Sequence, residues 1–171
     1  MINYFKYLFI LFVILIYSID SFAFKEDHLI NLMNNNECIN CDLSGANLSN
    51  IKFENTNLSG SNLKNAILEY SSLFNVNLSN VNLSNSNMEN INIIGSMFKE
   101  SNLEGAVLVD SHISGTDFSN SNLENVVMVD SSLISVNLSN VDLSNANLVF
   151  VSFESIKLNG VNFKNANLSE Y

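Results

Sequence analysis

The chain has no proline, no tryptophan and no arginine; its strong cations are seven lysines, set against 17 aspartates and glutamates, for a formal net charge of −10. A nucleic-acid binder ordinarily carries a clustered basic patch, so that class is disfavoured. An acidic surface suits solubility, a cationic partner or mimicry of a nucleic-acid backbone. There are only two cysteines, Cys38 and Cys41, too few to complete a structural zinc site alone, and neither His28 nor His112 stands at motif spacing from them. Neither histidine has a serine or cysteine beside it in a nucleophile arrangement, so both are expected to be solvated, and the many serines follow a repeat rather than a G-x-S-x-G elbow. No catalytic residue, cofactor-binding residue or metal ligand is assigned, no cofactor is implied, and an enzyme is not expected.

The longest apolar run, Tyr7–Ile19, ends at Asp20. It is short for a membrane span, which needs about 20 residues. Lys6 precedes it, and "SFA" follows with small Ser21 and Ala23 where a signal peptidase needs them. The segment 1–23 therefore predicts a secretory signal peptide cleaved after Ala23, with an uncleaved membrane anchor as the alternative. No cysteine follows the cleavage point, so no lipid attachment is expected. Cleavage removes Lys6 and Asp20 together and leaves the net charge at −10. The mature protein is expected in the periplasm or outside the cell, without stable membrane insertion.

Residues 24–40 form a second segment. Leu29, Ile30, Leu32 and Met33 suit a short helical cap, with Asp27 as its N-terminal cap and the run Asn34–Asn36 as its end. From residue 41 to residue 170 the chain is periodic, and the period is five. Every fifth residue from Leu43 to Leu168 is large and apolar, 26 positions without a slip. Helices favour a period near 3.6 and simple strands a period of 2; five fits neither. The residue two before each such centre is Ser, Val, Ala, Ile, Thr or Cys41. The residue one before is Asn 13 times and Asp three times. Two after, Asn appears 12 times, and all six glycines of the protein fall there.

These rules describe a short straight side and a corner. Small inward, polar outward, large inward is the alternation of a very short strand. Gly and Asn tolerate the positive φ of a tight bend. Sides joined by like corners close into a coil, and coils stack at about 4.8 Å. The stack buries a column of centres, each contributing roughly 1.5–3 kcal/mol when fully buried. Inward Ser and Thr hydroxyls are expected to bond nearby carbonyls.

The pattern A-(D/N)-L-x-x, as in "GANLSN" at 45–50 and "NANLSE" at 165–170, resembles the pentapeptide-repeat family. The resemblance implies an all-β fold, a right-handed quadrilateral parallel β-helix or β-solenoid with four pentads per coil. The repeats then make about six and a half coils, a rod of roughly 30 Å, behind the short N-terminal helical cap. A leucine-rich repeat has longer, heterogeneous units and fits less well. Some members of the family enter the first repeat through C-x-x-C-D-L, matched here by Cys38, Cys41, Asp42 and Leu43. A structural role is the leading expectation for the pair, with a local disulfide in an oxidising compartment; a redox-active thiol pair and a metal site are the alternatives. The chain stops one residue beyond its last pentad, and an open solenoid end invites stacking, so a homodimer through the C-terminal coil is expected.

Counting pentads in fours assigns them to faces: face one holds centres 43, 63, 83 and onward, face two 48, 68, 88, face three 53, 73, 93, and face four 58, 78, 98. Twelve large apolar residues fall at outward or corner positions. Eight lie on face two: Ile67, Tyr70, Val107, Val109, Val127, Val129, Val149 and Phe150. Phe74, Ile94 and Ile134 lie on face three, and Met97 on face four. Clustered exposed apolar residues mark a contact surface, although β-branched residues also simply suit strands. The candidate interaction face is Ile67, Tyr70, Phe74, Val107, Val109, Val127, Val129, Val149 and Phe150. Asp110 with Asp130, and Glu104 with Glu124, come together in adjacent coils, as a weak cation site or as a solvated acidic edge.

The leading functional expectation is an exported, non-enzymatic structural or protein-interaction scaffold with an unknown protein partner. Two rivals are an acidic DNA mimic binding a topoisomerase, which the family resemblance suggests and the signal peptide opposes, and a thiol–disulfide redox protein working through Cys38 and Cys41.

Overall fold

The computed structural model describes residues 25–169; the signal-peptide segment lies outside them. Helix α1 spans Glu26–Asn35. Six short strands follow: β1 Lys52–Glu54, β2 Ser72–Phe74, β3 Asn92–Ile94, β4 His112–Ser114, β5 Ser132–Ile134 and β6 Ser152–Glu154. They form one parallel sheet in sequence order. Each pairs with the strand four pentads further on, as in Phe53 against Leu73 and Leu133 against Phe153. The other three faces carry parallel bridges at the same interval: Glu37 to Asn57, Asp42 to Asn62 and Asn47 to Ile67. The protein is a parallel β-solenoid whose coils contain four pentads each, and five coils separate β1 from β6.

The physical reason lies in the pentad. Every fifth residue from Asn40 to Asn165 has positive φ, between 51° and 71°. This is the left-handed region, cheap for Gly and tolerable for Asn. Gly60 shows why some corners require glycine: a Cβ there would lie 2.1 Å from Oδ1 of Asn40, one coil away. The centre's N–H donates into the next coil, as from Leu63 to the Asn82 carbonyl at 2.7 Å. On faces one, two and four most corners close with an i to i+3 bond, such as Ala66 N–H to the Leu63 carbonyl at 3.0 Å. At face three no such bond follows the centres, and the extended run is long enough there to form the named strands.

All centres from Leu43 to Leu148 are at most 4% exposed. Phe98 and Phe118 stack at 4.7 Å between ring centroids within this column. The small inward residues fill the remaining space, and the inward serines make the expected bonds except Ser86, whose buried Oγ has no partner. Ser101 Oγ donates to the Leu78 carbonyl at 2.7 Å and accepts from Val81 N–H at 3.4 Å. Ser131 repeats both contacts with Leu108 and Ser111.

Helix α1 closes one end of the column with Leu29 and Leu32. Its N-cap is Lys25, not Asp27, and the cap residue makes no side-chain bond. The backbone explains the shift: Lys25 N–H donates to the Asp42 carbonyl at 3.2 Å, so docking on the first coil sets where the helix starts. The asparagine run does end the helix, with Asn36 at φ 54°. At the other end, Phe153, Leu158 and Leu168 are 37%, 47% and 48% exposed.

Candidate interaction face

Face two is built from the pentads centred on 48, 68, 88, 108, 128 and 148. Val107 and Val127 are bridge partners in adjacent coils. Val109, Val129 and Val149 form the neighbouring column, held by Asp110 N–H to the Val129 carbonyl at 3.0 Å and Asp130 N–H to the Val149 carbonyl at 3.1 Å. All five valines are half-buried. Their inward neighbours Leu108, Met128 and Leu148 are buried, which fixes these valines outward by strand alternation. The structure therefore brings the five valines together, with Phe150 beside Val149 at the corner.

The other candidate residues stand apart. Ile67 is separated from Val107 by Asn87. Tyr70, 61% exposed, heads a corner column whose next members are Asn90, Asp110 and Asp130 before Phe150. Phe74, 40% exposed, pairs with Ile94 on face three. Tyr70 and Phe150 hold φ of 57° and 58°, a conformation that costs a bulky residue roughly 1–2 kcal/mol.

Carboxylates bracket the valines. Within the chain path, Glu104 precedes Val107 and Asp110 follows Val109; Glu124 precedes Val127 and Asp130 follows Val129. The described pentads of face two hold Glu69, Glu89, Asp110 and Asp130 and no lysine. The described lysines lie on faces one, three and four or beside the cap; Lys99 is already engaged with Asp117 at 3.2 Å.

The sequence stacks Asn62, Asn82, Asn102 and Asn122 on face one and Asn57 and Asn77 on face four, an arrangement that favours ladders between coils; the turn that each makes within its own pentad was not read from the sequence. Asparagine or aspartate one before the centre accepts from the backbone two residues on, as Asn82 Oδ1 does from Ser84 N–H at 3.1 Å. It also reaches the next coil, as Asn82 Nδ2 donates to Asn62 Oδ1 at 3.3 Å. Its enrichment at that position was the visible signal; the Asx-type turn is the cause. Ser44 hydrogen bonds hold the Asp42 carboxyl below its usual value against some burial, with Asn62 and Lys25 helping. Ser144, with Asn162 adding, does the same for Asp142. At Asp117 burial opposes ionisation, but Ser119 and Lys99 outweigh it.

A folded-state value below the unfolded one stabilises at neutral pH and is lost as pH falls below about 3.9. Asp142→Asn keeps the acceptor for Ser144 and Asn162 and removes the titration. It should change stability at pH 7 by under about 0.5 kcal/mol and flatten the loss of melting temperature on acidification, measured by circular dichroism.

Cys38 and Cys41 form a disulfide with 5.5 Å between Cα atoms. They are 0% and 7% exposed, packed where α1 meets the first coil. Their burial withholds them from an incoming thiol. His28 was expected to be solvated; instead it is half-buried, and its Nδ1 accepts from Asp42 N–H at 2.8 Å. It is a strut between α1 and the first coil. His112 is exposed on β4.

The sequence pattern of a pentapeptide repeat region matches residues 33–108, and that of pentapeptide repeats matches 111–148 and 146–170. The chain belongs to the pentapeptide-repeat family. Among solved structures it resembles trypsin-treated QnrB1, a plasmid-mediated fluoroquinolone resistance protein, at 21% identity and a TM-score of 0.55 over 79% of this chain and 82% of that one. It is also similar to HetL, involved in heterocyst differentiation regulation in the cyanobacterium Nostoc sp. strain PCC 7120, at 19% identity and 0.48 over 77% and 69%. A pentapeptide repeat protein from the Arabidopsis thaliana thylakoid lumen matches at 22% and 0.27 over 74% and 71%. At these identities the likeness to QnrB1 establishes the fold alone. No curated protein matches the chain significantly.

Proposed function

We propose that this pentapeptide-repeat protein is an exported, non-enzymatic scaffold that docks a partner protein on face two. The observation that carries the reading is the five-valine patch, outward on adjacent coils of face two while the other outward apolar residues are dispersed over the solenoid. A rigid stack holds such side chains in fixed positions, so little ordering entropy is lost on docking. Export rests on the segment 1–23 and on the buried disulfide, which suits an oxidising compartment.

The DNA-mimic reading draws on the net charge of −10. Against it, carboxylates are spread over all four faces and valines occupy the middle of face two. The redox reading meets the burial of both sulfurs. We further propose that a second copy covers the exposed centres Phe153, Leu158 and Leu168 of the last described coil.

In intact cells, photocrosslinkers at Val109 should trap a distinct partner while the same probe at Ser79 on face four does not. Cell fractionation with N-terminal sequencing should place the protein outside the cytoplasm with Phe24 first. Equal trapping from both faces, or a cytoplasmic protein beginning at Met1, contradicts the reading. A strict monomer in light scattering at high concentration removes the second copy.

A further inference from the structure

We propose that the valine face of this solenoid takes an amphipathic α-helix that carries lysines or arginines on both flanks of a narrow aliphatic seam. The proposal deepens the scaffold reading and rests on it. Val107, Val127, Val109, Val129 and Val149 make a strip that runs along the stacking axis across three coils. Glu104 and Glu124 stand on face one, just before the corners Gly105 and Asn125 that lead into the strip, and Asp110 and Asp130 occupy the corners that close it. Glu124 additionally bonds Asn145 Nδ2 at 3.2 Å, which holds its carboxylate at the edge.

Three features select the occupant. One side of the coil is roughly 10 Å of extended backbone, close to the about 10–12 Å breadth of a helix with its side chains. A helix lying on the strip therefore reaches both acidic edges at once, whereas a single strand, about 4.8 Å wide, reaches one. Coils repeat at about 4.8 Å and helix turns at about 5.4 Å, so seam residues three and four apart fall near successive coils. The backbone of face two is already spent in the ladder between coils, as in Met88 N–H to the Val107 carbonyl at 2.7 Å. An added strand finds no free edge there, which leaves side-chain docking.

Charge removes two other occupants. A second copy of this chain would set its own acid brackets against these, and like charges across an interface are unfavourable. An anionic membrane surface meets the same repulsion. A cationic helix pairs all four carboxylates while its seam covers the valines, and the acid brackets also speed its approach.

The test uses the mature protein and a helical peptide of about 14 residues, stapled by one Lys–Glu lactam opposite the seam and otherwise made of leucine, alanine and lysine, with leucines on the seam and lysines on both flanks. Titration calorimetry should show saturable one-to-one binding that weakens with added salt. Val109→Ser with Val129→Ser should weaken it about tenfold. Ser49 occupies the same register, so this variant keeps the repeat's rules, and its circular dichroism should match the parent's. Asp110→Asn with Asp130→Asn should weaken binding similarly and reduce its salt dependence. A peptide of the same composition with the seam scrambled should bind about tenfold more weakly. Absence of saturable binding, equal binding by the scrambled peptide, or indifference to the valine variant each overturns the proposal. A partner trapped at Val109 in cells through a segment without flanking cations overturns the cationic helix and leaves the scaffold reading standing; trapping nothing removes both.

Discussion

Replacing Phe118 with alanine should destabilise the protein by about 3–5 kcal/mol, among the larger costs a single truncation can carry. Phe118 is 0% exposed and stacks on Phe98 in the coil below, with Leu138 as the centre above. The surrounding centres cannot collapse into the gap, because each is tied to a backbone ladder at fixed register. The loss is read from the urea midpoint at constant slope. The same truncation at Leu168, 48% exposed in the last described coil, should cost far less, under about 1 kcal/mol. Equal costs at the two sites would mean that depth in the column does not govern stability.

Deletion tests the coil as a unit. Removing residues 101–120 excises one complete coil and joins Glu100 to Ser121, which sits where Ser101 sat. Every downstream residue keeps its face and its inward or outward sense. In a solenoid each repeat contacts only its neighbours, so the shortened protein should still unfold in one cooperative transition, with a rod shorter by about 4.8 Å. Deleting Ser119 alone should be far worse. Every centre from Leu123 onward then arrives one residue early, and a slip of one residue turns side chains to the opposite face. Buried Leu123, Met128 and Leu133 would face water while polar residues turn inward. The expected result is loss of cooperative folding beyond that point, seen as rapid proteolysis C-terminal to residue 120 by mass spectrometry.

Much of this architecture was legible in the residues because each pentad position obeys one dominant constraint. Large side chains at every fifth position marked the column, and Gly or Asn two residues later marked the positive-φ corners. Other features depend on what stacks against what. Face three makes the named strands because its corners lack the i to i+3 bond, although its pentads read like the rest. His28 looked solvated because its partner Asp42 is distant in sequence and meets it only once α1 docks. Asp27 resembled an N-cap by local rules, yet contact with the first coil moved the start to Lys25.

The candidate face was legible in part for the same reason. Counting in fours placed the valines together. It did not divide Tyr70 and Phe74 from them, because the polar corners Asn90, Asp110 and Asp130 intervene only in the stacked coils. The acids around the strip follow from chain order, with Glu104 and Glu124 ahead of it and Asp110 and Asp130 at its closing corners.

The central claim is that the chain advances four pentads per coil, and paired cysteines test it most directly. Asn102→Cys with Asn122→Cys places two thiols on bridged positions of face one, about 4.8 Å apart at Cα and within reach of a disulfide. Under mild oxidation this pair should crosslink completely, as should Asn82→Cys with Asn102→Cys. The pairs Asn102→Cys with Asp117→Cys and Asn102→Cys with Val127→Cys, three and five pentads apart, lie on neighbouring faces and should stay reduced. Crosslinking of either of those pairs in preference to the pairs four pentads apart would contradict the stacked coil and every assignment of residues to faces.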